Sequence, residues 1–293
     1  MEFGVICSSA SAAEDGAHAV ALARAAVANG LESVWAPEHV VMPVAITSPY
    51  PFAPDGKRAT TGRSEETPVA DPLVWLGLVA GAVPEIRLGT GILILPEHNP
   101  VILAKAVASL DRLSGGRVTL GIGVGWLREE FELIGVPWAR RGARTDEYIG
   151  ALRALWRHEI ASFHGEFVDF EGAKSYPKPA QPGGPPIVVG GQTEAAARRA
   201  GRLGDGFLPG GNLDAIPHLL QVARAAAESS DRDPAMLEMT YVLGRTTGDL
   251  GANVDRLLEL GVHRVLFGLA ETDTDRAVGI IGELGALRTA RAG

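Results

Sequence analysis

The chain has a single cysteine, Cys7, in 293 residues, which excludes an intramolecular disulfide framework and a cysteine-rich metal site. Its seven histidines are scattered, with no His-x-His pair and no His-Glu-x-x-His, so no metal is expected. No basic block offsets a formal net charge of -8, which argues against nucleic acid as a partner. An acidic protein can still hold a locally basic cleft, so small-molecule substrates stay open. No uninterrupted apolar run is long enough to span a bilayer, and Met1-Glu-Phe-Gly4 lacks the basic start of a signal peptide. A cytoplasmic protein with no membrane partner is the expectation. Also missing are the Gly-x-Ser-x-Gly of a serine hydrolase and the Gly-Lys-Ser/Thr of a nucleotide-binding phosphate loop.

What is present is a chain with 46% hydrophobic and 21% charged residues, ample for one large core. Short aliphatic runs alternate with alanine- and leucine-rich amphipathic segments. Predicted strands lie at Phe3–Cys7, Leu31–Ala36, Arg87–Leu95, Arg117–Ile122, Pro186–Val189, Gly206–Leu208, Leu237–Leu243 and Arg264–Phe267, each followed by a predicted helix. Helical material is predicted from Trp126 to about His158. Eight strand–helix units without a composition break favour an α/β fold closed as a (β/α)8 TIM barrel, one domain over residues 1–293, above an open doubly wound sheet. Two insertions exceed what the connections need. Val40–Ala70, with Tyr50 and Phe52, follows strand 2 on the expected active-site face and is predicted as a lid. Phe163–Gly184 precedes strand 5 and reads as a hairpin packed against the bottom or side.

Glycines mark the strand ends. Arg87-Leu-Gly-Thr-Gly-Ile-Leu-Ile-Leu95 carries Gly89 and Gly91 inside a buried run, and Gly121-Ile-Gly-Val-Gly125 repeats the pattern. Glycine inside a strand marks a bulge or a close approach by another backbone or a ligand. Tight packing accounts for either set alone; the two together favour room for a flat cofactor. Gly91, Ile92, Leu93, Ile94, Gly123 and Gly125 are therefore candidate cofactor contacts. Trp35-Ala-Pro-Glu-His39 ends the second strand, where polar residues of a barrel face the reaction chamber. His39 can exchange a proton near neutral pH, and Glu38 can orient a ring or a cofactor hydroxyl, unless both are ordinary loop residues. Ile187-Val-Val-Gly-Gly-Gln-Thr193 runs into a helix start, where backbone amides favour anions. Gly190, Gly191, Gln192 and Thr193 are candidate phosphate contacts, the alternative being a plain glycine turn with Thr193 as N-cap. His98, before Pro100, is either a substrate contact or a surface residue.

Several stretches together resemble the luciferase-like monooxygenase superfamily: Val34-Trp-Ala-Pro-Glu-His39, Leu88-Gly-Thr-Gly-Ile-Leu-Ile-Leu-Pro96, Leu110-Asp-Arg-Leu-Ser-Gly-Gly-Arg117, Gly121-Ile-Gly-Val-Gly-Trp126 and Gly204-Asp-Gly-Phe207. More narrowly, Gly125-Trp-Leu-Arg-Glu-Glu-Phe131 and Arg144-Thr-Asp-Glu-Tyr148 resemble its F420-dependent oxidoreductases. The resemblance implies a barrel, usually a homodimer, that binds F420 or FMN at the strand ends and acts on a small organic substrate. It implies a non-prolyl cis peptide at Gly91–Ile92, an acid–base role for His39, and phosphate binding by Gly190 and Gly191. F420 is favoured over FMN on this ground alone. An FMNH2-dependent monooxygenase and a non-catalytic flavin-binding barrel are the alternatives. Family dehydrogenases of sugar phosphates carry glutamate where this chain has Trp126, which points to an apolar or aromatic-lined pocket; that role does not transfer to Glu129 or Glu130.

Overall fold

A computed structural model describes residues 1–13, 15–51, 64–244 and 249–292. Part of the segment predicted as a lid, Phe52 included, lies outside the described residues. In chain order, β1 (Glu2–Cys7) leads to α1 (Ser9–Ala12) and α2 (Gly16–Ala28), and β2 (Ser33–Ala36) to α3 (Pro72–Ala82). The third barrel strand is split into β3 (Arg87–Thr90) and β4 (Leu93–Ile94), before α4 (Pro100–Ser114). Next come β5 (Val118–Gly123), α5 (Arg128–Leu133) and α6 (Arg141–Arg157), then a hairpin of β6 (Ala161–His164) and β7 (Asp169–Ala173). The last four units are β8 (Ile187–Gly191) with α7 (Glu194–Leu203), β9 (Gly206–Pro209) with α8 (Ile216–Glu228), β10 (Glu238–Leu243) with α9 (Leu250–Glu259), and β11 (Arg264–Leu269) with α10 (Thr274–Ala292).

The barrel strands are all parallel, and pairing of β1 with β11 and of β3 with β5 closes the sheet on itself. This is the expected (β/α)8 barrel. Both faces of each strand are covered, which is why the strands read as aliphatic runs without alternation. Side-chain caps start the helices where the sequence supplies them: Asp71 before α3, Asn99 with Pro100 before α4, and Thr193 before α7. The expected insertion before the fifth barrel strand is an antiparallel hairpin. It packs on α6, with the Phe163 ring against Gly150. The helical material expected over residues 126–158 is two helices: α5 ends at Leu133, Gly135 takes φ +73°, and α6 begins at Arg141. Gly135-Val-Pro137 breaks the periodicity, because proline disfavours helix in the residue before it.

The glycines of the barrel mouth face protein atoms rather than an open slot. A β-carbon at Gly89 would fall 2.2 Å from the Trp35 ring, and one at Gly121 would fall 2.0 Å from the Thr90 carbonyl oxygen. At Gly123 and Gly190 it would strike the Ile92 side chain, at 2.4 and 2.8 Å. At Gly89 and Gly121 the missing β-carbons make room for protein atoms alone, whereas Gly91, Gly123, Gly125 and Gly190 also line a cleft. The space belongs to Trp35, which is 1% exposed, and to Ile92 above it. Beneath Trp35, Arg264 closes the opposite end of the barrel with Glu32 and Glu238.

The Leu-Asp-Arg-Leu-Ser-Gly-Gly-Arg segment is a structural joint. Asp111 is fully buried. Its Oδ2 accepts the amides of Ala180 (2.8 Å) and Gln181 (3.0 Å), and its Oδ1 accepts Gln181 Nε2 at 2.7 Å. Arg117 donates to the carbonyls of Ala80 (2.8 Å), Val83 (3.0 Å) and Ile86 (2.5 Å), satisfying the open C-terminal end of α3. Replacing Asp111 by alanine leaves a fully buried site empty and strands three partly buried donors, so Asp111→Ala is expected to lower unfolding free energy by about 3–4 kcal/mol. Urea denaturation measures this, and an unchanged midpoint would contradict the joint.

Candidate active site

A cleft of about 1520 Å³ opens at the C-terminal ends of the strands. Its floor is the third barrel strand. Leu88 pairs with Val118 but Leu93 with Ile122, so the register slips by one residue across a bulge at Gly91–Ile92. The Gly91–Ile92 peptide is cis. Gly91, Ile92 and Ile94 line the cleft, as do Gly123 and Gly125 at the end of β5. Leu93 does not: its side chain is wholly buried in the core, because successive side chains on a strand point to opposite faces. As a side-chain contact for a cofactor, Leu93 is withdrawn.

His39 and Glu38 both line the cleft at the end of β2, but they are not partners. Glu38 is 7% exposed; its Oε2 accepts the Ile94 amide at 2.5 Å and its Oε1 contacts His98 Nε2 at 2.9 Å. Glu38 thus braces the strand after the bulge, and His98 serves that brace rather than a substrate. The partner of His39 is Glu130 on α5, with Nδ1 to Oε2 at 2.8 Å. Glu130 is fully buried, and its other oxygen accepts the amides of Val40 (2.6 Å) and Val41 (3.2 Å). An acceptor on Nδ1 makes that nitrogen the proton carrier and leaves Nε2 as the free base of a neutral ring.

The adjacent acid on α5 holds the other end of the same loop. Glu129 Oε1 accepts the amides of Thr47 (2.8 Å) and Ser48 (3.0 Å) and the Thr47 hydroxyl (2.5 Å). Burial works against its charge, but the Thr47 and Ser48 hydrogen bonds outweigh it and hold the carboxyl at about 2. Residues 40–51 are therefore fastened to α5 by two consecutive carboxylates, and Gln192 Nε2 donates to the Pro51 carbonyl at their end. The loop brings Tyr50 edge-on to Trp126 at 5.2 Å, and Trp126 stands edge-on to His39 at 6.2 Å. His39 thus has an aromatic wall on one side and Ile92 below.

Opposite lie Gly190 and Gly191, which with Thr193 also line the cleft. Gly191 has φ +147°, open to glycine, and the Thr193 hydroxyl accepts the Ala196 amide at 3.3 Å as an N-cap. The cap occupies Thr193, and the Pro51 contact occupies Gln192, so ligand contact here falls to backbone. Cys7 lines the cleft at the end of β1, where burial pushes its thiol up to about 12, a protonated bystander. Among the described residues no group of three or more His, Cys, Asp or Glu could hold a metal ion. Sequence reasoning missed Glu130, whose only signal is a pair of glutamates 91 positions from His39.

A family model described as luciferase-like monooxygenase matches residues 1–248. An uncharacterised protein of Mycobacterium tuberculosis is 35% identical over 269 residues, 91% of this chain and 92% of that protein. An F420-dependent glucose-6-phosphate dehydrogenase of Amycolatopsis mediterranei is 34% identical over 61% of this chain and 49% of its own. An FMNH2-dependent dimethylsulfone monooxygenase of Pseudomonas putida is 34% identical over 53% and 44%. Among solved structures, monooxygenase RslO1 from Streptomyces bottropensis superposes with a TM-score of 0.77 at 22% identity, over all of both chains. The F420-dependent tetrahydromethanopterin reductase of Methanopyrus kandleri does so at 0.74 and 16%, over 96% of this chain and 97% of that one. At these identities the superpositions speak to fold.

Behind the His39 wall lies Glu97, both of whose carboxyl oxygens are buried without a hydrogen-bond partner among the described residues. Burial, then repulsion from Glu130 and Glu38, pushes it up to about 9, so it is a neutral acid at pH 7. The folded state thus keeps a proton that the unfolded chain releases near its ordinary value, and stability from this site falls as pH rises between about 4.5 and 9. Glu97→Gln mimics the neutral acid and removes that loss. The variant should match wild type near pH 5 and exceed it in urea stability at pH 8. A gap that is constant with pH would refute the neutral acid.

Proposed function

The chain belongs to the luciferase-like monooxygenase family, and we propose that it is an F420-dependent oxidoreductase acting on a small, largely apolar organic substrate. The observation that carries this reading is the His39–Glu130 pair beside the Ile92 bulge at the mouth of the barrel. The cleft fits a tricyclic ring system: Ile92 and its neighbours make an uncharged floor, and backbone at Gly190–Gly191 stands at the far end beside a helix start. Such a cofactor supplies hydride exchange at its central ring. The protein's share is proton handling and positioning. Glu130 holds His39 in one tautomer, with Nε2 ready to take a substrate proton or, once protonated, to return it. Residues 40–51, fastened by Glu129 and Glu130, close one side against water. Trp126 and Tyr50 offer an aromatic face and no charge at the substrate position, which supports an apolar or aromatic substrate over a sugar phosphate. A homodimer and a cytoplasmic location are part of the same reading. No helix among the described residues is long and apolar enough to cross a membrane.

F420 rather than FMN is supported by the Gly125–Phe131 resemblance and by the F420-dependent dehydrogenase among the relatives. Spectroscopic titration of apo-protein is expected to show tighter binding of F420, weakened by salt because its tail is anionic. Micromolar FMN binding with no F420 binding would overturn this. Oxygen uptake with reduced FMN would then support the FMNH2-dependent monooxygenase that the dimethylsulfone enzyme suggests.

For His39 the expected outcome is specific. His39→Ala should lower turnover by roughly 10²–10⁴ while cofactor affinity stays nearly intact. A variant that loses the cofactor yet turns over normally at saturation would make His39 a binding residue.

A further inference from the structure

Three arginines line the cleft, and two have acid partners: Arg128 pairs with Glu132 at 2.8 Å, and Arg199 with Asp146. The third, Arg141, opens α6 and has no carboxylate partner among the described residues. Its guanidinium stacks 3.6 Å from the centroid of the Trp138 ring, and its Nε donates to the Gly125 carbonyl at 3.3 Å. Trp138 is itself held edge-on by Phe131 at 5.1 Å. This packing fixes the guanidinium at the cleft wall without neutralising it.

The surrounding charge is uncompensated in the same sense. Arg199, 8% exposed, reaches the α6 start and donates to the Gly142 carbonyl at 3.1 Å. One carboxylate, Asp146, serves both Arg199 and Arg202. Burial lowers the pKa of Arg141, and the charge of Arg199 lowers it further. A partly buried corner with more cations than anions gains stability when a dianion enters. Two helix starts add to it. α6 has no side-chain cap, and the first acid of α7, Glu194, is turned to Arg198 and His218. Gly142 and Ala195, from those two first turns, line the cleft with Arg141.

Resting on the oxidoreductase reading above, we propose that Arg141 recognises the phosphate of the cofactor, and so selects the phosphorylated form over the same ring system without phosphate. A guanidinium fork matches a phosphate bidentately, whereas the Gly190–Gly191 turn offers only backbone. The turn is also a poor place to test the idea. A β-carbon at Gly191 would lie 2.6 Å from that of Ala196, so any side chain there disturbs the start of α7 whatever the ligand.

The test is binding, followed by fluorescence, of F420 and of its phosphate-free deazaflavin–ribityl core to wild type, Arg141→Met and Arg141→Lys. Arg141→Met is expected to bind F420 about 10- to 100-fold more weakly, with the core changed less than about threefold, and Arg141→Lys to recover part of the loss. Equal losses for both ligands, or none for either, would overturn the proposal, and the lysine variant guards against a simple packing defect. If wild type binds neither F420 nor FMN, the cofactor reading fails, and inorganic phosphate at constant ionic strength decides the site alone. A phosphate-dependent rise in Tm present in wild type and absent from Arg141→Met upholds the anion site. A rise shared by both, or seen in neither, overturns it.

Discussion

Everything at the mouth of this barrel depends on the seating of two side chains, Trp35 and Ile92, over strands that have given up their own. Trp35 fills the barrel axis because Gly89 and Gly121 lack β-carbons within 2.5 Å of its ring or of the Thr90 carbonyl beside it. Ile92 stands above because Gly123 and Gly190 leave it room. Interiors are packed at crystal-like density, so a methyl at any of these positions displaces a neighbour rather than filling a void. The bulge at Gly91–Ile92 is what lifts Ile92 to that height, and Glu38 holds the strand beyond it through the Ile94 amide. The cleft therefore has a floor made of one aliphatic side chain and several bare backbones. That floor is flat and uncharged because of where the glycines lie.

The second dependence is on α5, a helix of six residues. Its consecutive acids point different ways: Glu130 inward to His39 and the amides of Val40 and Val41, Glu129 outward to Thr47 and Ser48. Neighbouring helix positions do not share a face, so one pair can fasten both ends of a loop. The consequence is a coupling between lid and proton carrier. A change that loosens residues 40–41 from Glu130 removes a brace from the acceptor that fixes the His39 tautomer.

The fold was legible because closed parallel barrels announce themselves by repetition, and each of the eight units kept its aliphatic run and its helix. Long-range partners were not legible. Glycine in a strand does signal close approach, and the reading of Gly89, Gly121 and Gly123 as such was sound. What approaches cannot be read from the glycine, and here it is Trp35 and Ile92 from other strands. Glu38 is expected to orient a ring or a cofactor hydroxyl because it stands beside His39 in the chain, yet adjacent loop residues have no reason to share a partner, and Glu38 bonds the Ile94 amide and His98. Glu130 lies about one turn of helix beyond the glycines, and that displacement lets it reach back to His39. Leu93 failed for a local reason that period-two alternation anticipates. The Leu110–Arg117 segment marked the family correctly, and its physical work, tying α3 and residues 180–181 to the barrel, lies outside the cleft.

The finished cleft is electrically uneven, and the unevenness has a direction. At one side stand three buried carboxyls: Glu130 bonded to His39, Glu38 bonded to His98, and Glu97, which retains its proton. Elsewhere in the cleft, Arg141 opens α6 and Arg199, from within α7, reaches the same helix start. Between them lies the neutral floor of Ile92. In a medium less polarisable than water such separations are felt over the length of a ligand. On the reading proposed above, an elongated cofactor with a planar body and one anionic end would set its anion toward Arg141, its ring over Ile92 and its reacting edge toward His39. The reverse orientation would set the anion against the carboxyls behind His39 and leave Arg141 without a carboxylate partner among the described residues.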